Sequence, residues 1–218
     1  LLGSLILLGV FPLVIKALLA MRESAKRNAA WRGQKPRQFD RNLVVIGAGA
    51  GGLVASYMAS ALKAQVTLVE GGAMGGDCLN TGCVPSKALI RAARAAHEMR
   101  QAERFGLARV EPRIDWPALM RRVQAVVRDI EPHDSVARYT ALGVDVRLGH
   151  ARIVNPWTVE IRPPDGPAER LSTRSIVIAA GAAPIAPPLP GLREAGVLTS
   201  DTLWDALAAL PNIPARIA

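Results

Sequence analysis

The chain has 218 residues and a formal net charge of +9, from 27 Lys and Arg against 18 Asp and Glu. That length holds one large domain, or one domain with an appendage. The charge alone would suit nucleic acid, but the excess is mostly Arg gathered near the N-terminus. Only 4% of the residues are aromatic, too few for a basic face interleaved with stacking rings, and no nucleic-acid partner is expected.

Residues 1–20, LLGSLILLGVFPLVIKALLA, are apolar apart from Ser4 and Lys16, which matches the ~20 residues needed to span a bilayer. Lys16 can snorkel to the interface. Residues 21–41 carry Arg22, Lys26, Arg27, Arg32, Lys35, Arg37 and Arg41, with Trp31 as an interfacial anchor. The positive-inside rule sets this side in the cytoplasm. A secretory signal would carry its charges before the apolar run and end in a small-residue cleavage site. A buried core helix is the other alternative, since the run is short and Pro12 interrupts it. The expectation is a transmembrane helix over 1–20, truncated at its start, and a basic juxtamembrane linker over 21–41. The protein would then be membrane-anchored, with the rest in the bacterial cytoplasm. A first residue that is Leu rather than Met, and a final ARIA that reads as a strand just starting, lead us to expect a fragment at both ends.

From Asn42 the character changes. LVVI predicts a strand that runs straight into a turn with Gly47, Gly49, Gly51 and Gly52, followed by a helix over Leu53–Lys63, a strand over Gln65–Val69 and the acidic Glu70. A Gly-x-Gly-x-x-Gly turn between a strand and a helix, with an acid at the end of the next strand, is the context of a dinucleotide fold. Gly47 allows the tight turn, Gly49 lets backbone approach a pyrophosphate, and Gly52 lets helix and strand pack closely. The helix N-terminus offers N–H donors to phosphate, and Glu70 can accept ribose hydroxyls. FAD and NAD present the same adenosine end, so these residues do not separate them.

Residues Gly75–Lys87, GGDCLNTGCVPSK, hold both cysteines of the chain, Cys78 and Cys83. In a regular helix residues i and i+5 lie roughly 8–9 Å apart, beyond the ~7 Å reach of a disulfide. A bridge therefore needs a distorted approach, for which Asn80 and Gly82 tolerate positive φ and Pro85 suits a first helical turn. A helix starting near Cys83 sets that thiol at the positive end of the macrodipole, and Lys87, one turn on, adds charge. Cys83 is expected to be a stabilised thiolate and Cys78 its more exposed partner. A structural disulfide would close a very short loop in a reducing compartment. A zinc site lacks further ligands. Two unconnected buried cysteines are the remaining alternative.

This stretch resembles the redox motif GG-T-C-x-N-x-G-C-x-P-S-K of the flavoprotein pyridine nucleotide–disulfide oxidoreductases, of dihydrolipoyl dehydrogenase and mercuric reductase type. The chain departs from it at Asp77, where Thr is usual. The resemblance implies FAD on the first fingerprint, with Gly76, Asp77, Cys83 and Lys87 beside the flavin, and NAD(P)H as co-substrate. It assigns Cys78 to exchange with substrate and Cys83 to face the flavin. The implied fold is α/β, a Rossmann-like FAD-binding domain with an inserted antiparallel β-meander. The implied function passes electrons from NAD(P)H through FAD to Cys78–Cys83 and on to a small-molecule disulfide or metal-ion substrate, in a full-length homodimer. The other reading is a membrane-tethered flavin-binding module without disulfide turnover.

Beyond this motif, Asp115–Ile130 predicts an amphipathic helix capped by Asp115. Pro132 interrupts it, and helix resumes to Leu142, where Gly143 stops it. VDVRLGHARIV, WTVEIR and ERLSTR predict the antiparallel meander. SIVIAAGAAP predicts a buried parallel strand ending at Gly181, which allows close approach to a ligand and is the family's second flavin contact. Ser200 and Asp201 are expected to cap a short helix over TLWDALAAL. His97, His133 and His150 are read as surface or helix residues. The FAD domain is expected over 42–213, with 214–218 the start of an NAD(P)-binding domain, and no metal site is expected.

Overall fold

The computed structural model describes residues 14–23, 26, 29–192 and 194–216. Residues 14–23 are helical and exposed. The rest of the expected membrane helix, 1–13, lies outside the described residues. Among the described ones, no helix is long and apolar enough to cross a membrane, so the expected apolar N-terminal helix is not found among them.

The dinucleotide unit opens the folded part. Strand β1 (Arg41–Ile46) runs into helix α1 (Ala50–Ala61), which returns to strand β2 (Val66–Glu70), parallel to β1 with Leu43 opposite Val66. Successive strand residues point to opposite faces, and here that separates two cores. Val45 joins Leu53, Leu68, Tyr139 and Val144 under α1, whereas Val44 joins Val69, Val159 and Ile161 on the other face. Both valines are fully buried, as a central strand covered on both sides requires.

Next come the short helix α2 (Gly76–Asn80) and the long α3 (Cys83–Arg100), then α4 (Trp116–Ile130), whose N-cap Asp115 accepts from the Ala118 N–H as expected. A 3₁₀ turn over Glu131–Asp134 absorbs Pro132, and α5 (Val136–Ala141) follows. The remaining elements are β3 (Asp145–Leu148), β4 (His150–Asn155), β5 (Thr158–Arg162), β6 (Glu169–Ile178) and α6 (Ser200–Ala208).

The six strands are ordered β3-β2-β1-β6-β5-β4. Four expectations are corrected here. VDVR is not part of the meander: as β3 it lies parallel to β2, and Gly149, at φ 147°, turns the chain into β4. ERLSTR and SIVI are one strand, because nothing between them breaks an extended chain. Its first half pairs antiparallel with β5, and its second half runs parallel to β1. The meander is thus β4, β5 and the start of β6. SIVI is only partly buried, and Ile178 is 70% exposed. The cap of α6 is Thr199, in a capping box with Thr202, one residue before the expected Ser200. Helix α6 packs on α4 through Leu207, Trp116 and Met120, and the Trp116 indole donates to the Leu207 carbonyl at 2.9 Å.

Candidate functional site

A cavity of about 840 Å³ opens at the carboxyl ends of β1, β2 and β6, bounded by Ile46, Val69, Glu70 and Ala179. This is where open parallel sheets bind ligands, and the volume falls in the roughly 300–1,000 Å³ range of small-molecule sites.

Its floor is the glycine turn. Gly47 has φ 100°, and a Cβ there would strike the Ala179 carbonyl, while a Cβ on Gly52 would strike the Gly47 carbonyl. Neither position has room for a Cβ. Gly49 caps α1 without a side chain, so no side-chain acceptor covers the first N–H groups of that helix. Donors at a bare helix N-terminus favour an anion. Gly49 and Gly51 line the cavity.

Glu70 stands at the edge of the same cavity. One carboxylate oxygen accepts from the Gly72 N–H at 2.6 Å and the other from the Ala48 N–H. Each oxygen keeps a second lone pair free, so a carboxylate fixed by backbone can still receive ribose hydroxyls. A bare glycine cradle, free helix N–H groups and a pinned acid fit the pyrophosphate and ribose of an adenine dinucleotide such as FAD.

The cysteine stretch is built onto this floor. Gly76 lies so close to Gly49 that a Cβ on it would come within 2.7 Å of the Gly49 Cα. The first turn of α2 therefore rests directly on the phosphate-binding turn. The positive φ angles are at Gly75 (85°) and Gly76 (54°), while Gly82 has φ −119°, so the tight passage lies before Cys78 and not at Asn80 and Gly82 as expected. Asn80 acts instead as a tie, its amide donating to the carbonyls of Met74 at 3.0 Å and Gly76 at 2.9 Å.

Cys83 is the first residue of α3, as expected, with Gly82 as its N-cap. Both thiols are free, Cys78 half-buried and Cys83 exposed. The expected order of exposure is therefore reversed, because α2 is tucked against the glycine turn while the start of α3 faces outward. Cys78 lines the cavity, and Cys83 and Lys87 do not. The thiols are neighbours all the same. A hydrogen bond with Cys83, then burial, then the charge of Cys83 push the Cys78 thiol above its ordinary range, and the Lys87 charge pulls the other way. Lys87 is exposed on α3. Asp77 is exposed in the first turn of α2 and lines the cavity, as does Gly181, whose φ is 69° and whose missing side chain faces open space.

Four further residues, which the sequence did not place in a ligand site, line the cavity: Asn80, Thr81, His150 and Asp201. The Trp204 indole on α6 donates to the Thr81 carbonyl at 2.6 Å, and the Thr81 hydroxyl is buried without a partner. Among the described residues, no group of three or more His, Cys, Asp or Glu side chains could hold a metal ion.

A family model described as pyridine nucleotide-disulphide oxidoreductase matches residues 41–217. Curated relatives include a mercuric reductase of Streptomyces lividans, 36% identical over 172 residues that make up 78% of this chain and 36% of that protein. A mercuric reductase of Shigella flexneri is 35% identical over 184 residues, 81% of this chain and 31% of that protein. One of Bacillus cereus is 32% identical over 174 residues, 80% of this chain and 27% of that protein. The chain thus spans about a third of the length of the relatives it matches.

Proposed function

The chain belongs to the pyridine nucleotide-disulphide oxidoreductase family, and on that premise we propose that residues 42–213 form the flavin-binding, cysteine-bearing domain of an NAD(P)H-dependent disulfide oxidoreductase. The observation that carries this reading is the contact of Gly76 with Gly49: the turn built for a pyrophosphate touches the helix that bears Cys78, and both line one cavity. When bound, FAD supplies a two-electron carrier between NAD(P)H and the cysteine pair.

The chain's own residues do the rest. The turn from Gly47 to Gly52 and the N-terminus of α1 hold the pyrophosphate, and Glu70 orients the adenosine by its ribose. Gly76, Asp77 and Gly181 contact the flavin end, and in the family's pattern Cys83 and Lys87 stand beside its reactive edge. Cys78 and Cys83 interconvert between a disulfide and two thiols, taking up two electrons and two protons. The dithiol then reduces its substrate, with Cys78 as the exchanging thiol. That substrate is a small-molecule disulfide or a metal ion. The mercuric reductases among the relatives support the metal ion, and paired thiolates are soft ligands suited to it. A homodimer is the proposed assembly, and 214–218 the start of the nicotinamide domain.

The test is cofactor retention by the purified chain after incubation with FAD and desalting. Wild type, C78S and C83S should keep flavin, while E70Q, which removes one charged hydrogen-bond acceptor, should bind it roughly tenfold more weakly. Failure of the folded wild type to retain FAD would refute the proposal.

We further propose that residues 1–20 anchor the protein in the membrane, with 21–41 as a basic linker and the flavin domain on the cytoplasmic side. The apolar run followed by seven basic residues supports it. The chain should stay in carbonate-washed membranes when expressed in bacteria, and release into the wash would count against an anchor.

A further inference from the structure

The four residues between the cysteines are held from outside at two points. Asn80 ties the first half of the loop to the carbonyls of Met74 and Gly76. The second half is tied by Trp204, from a helix 123 residues further along the chain, through its indole N–H on the Thr81 carbonyl at 2.6 Å. Packing secures the first half through the buried Leu79, while beside Asn80 an open cleft of about 230 Å³, bounded also by Pro85, Met120, Val123 and Trp204, leaves part of the loop without a packed neighbour. At Thr81 the tie from outside the loop is the Trp204 hydrogen bond.

We infer that Trp204 is a positioning residue for the cysteine pair: by pinning Thr81 it fixes Gly82, the start of α3 and the approach of Cys83 to Cys78. The inference rests on the redox role proposed above for that pair. Its consequence is thermodynamic. A held loop keeps the two sulfurs at high effective concentration and so favours the disulfide. Released, the loop lets them separate, and the disulfide becomes easier to reduce.

The experiment equilibrates the purified chain anaerobically against graded ratios of reduced and oxidised dithiothreitol, then counts free thiols by maleimide mass shift. Forming the bond removes two electrons and two protons from Cys78 and Cys83 and passes them to oxidised dithiothreitol. W204F keeps an aromatic ring and loses the N–H. It should lower the effective concentration about three- to tenfold, a potential roughly 15–30 mV less negative. W204H, which retains a ring N–H, should fall between W204F and wild type.

W116F is the matched control. It removes the indole bond to the Leu207 carbonyl within the same apolar cluster, keeps the Trp204 indole, and should leave the potential unchanged. An unchanged potential in W204F, or an equal shift in W116F, would overturn the inference. A wild-type chain that forms no Cys78–Cys83 bond at any ratio would instead overturn the redox reading beneath it. Should W204F fail to fold, W204H against W116F decides.

Discussion

At the scale of single residues, the two cysteines differ in a way that chemistry can read. The thiolate is the nucleophile, and the Cys78 thiol is pushed above its ordinary range by its hydrogen bond with Cys83, then by burial, then by the charge of Cys83. Cys83 is the exposed thiol. At neutral pH, a limiting amount of iodoacetamide should therefore modify Cys83 several-fold faster than Cys78, as read by peptide mass spectrometry. The rate at Cys78 should go on rising beyond pH 9, its ordinary value, because a raised pKa postpones the thiolate to higher pH. C83A removes the first cause of that shift and should bring the Cys78 profile to lower pH. Equal rates at the two sites, or a Cys78 profile indifferent to C83A, would contradict the geometry. Loading FAD adds a discriminating arm: if Cys83 stands beside the flavin, it should become the protected thiol and Cys78 the reactive one.

At the scale of elements, what was legible in the sequence is what local chemistry specifies. Gly47 and Gly52 are required by backbone that lies within a few residues of the turn or next to it in the sheet, so the pattern alone locates the phosphate loop. Asp115 caps α4 because its own side chain reaches Ala118, again a local matter. Strand partners are different. β3 reads as one more meander strand until its pairing with β2 is seen, and a continuous β6 serves two sheet regions with no break to mark the change. The meander itself is amphipathic. Val159 and Ile161 enter the core beneath β1, and the outer face sets Arg152, Arg162 and Arg170 around the carboxylate of Glu160. Arg162 shares β5 with Glu160, but Arg152 and Arg170 reach it from the neighbouring strands, and opposite charges one strand apart are invisible without the register. The reversed exposure of the cysteines has the same origin. It follows from α2 resting on Gly49, some thirty residues earlier in the chain, and the Trp204 clamp lies further away still.

At the scale of the whole molecule, the family's chemistry engages two dinucleotides, FAD and NAD(P)H, each with a pyrophosphate to be held. The chain supplies one glycine turn of the required kind after a strand, Gly47–Gly52. A cavity of dinucleotide size is built on that turn, and the Gly76–Gly49 contact sets it beside the cysteine-bearing helix, as the proposed flavin site requires. Among the described residues, no second strand runs into a glycine turn of this kind. The 218-residue chain loaded with FAD should show no steady oxidation of NADH or NADPH above that of free FAD. Anaerobic dithionite should nonetheless reduce it fully, and wild type should take up one electron pair more per chain than C78S, the pair that opens the Cys78–Cys83 bond. Saturable NAD(P)H oxidation by the isolated chain would mean that the cavity serves the nicotinamide partner as well, and the assignment of one cradle to one cofactor would fall. Equal electron uptake by wild type and C78S would instead detach the cysteines from the flavin while leaving the cradle intact.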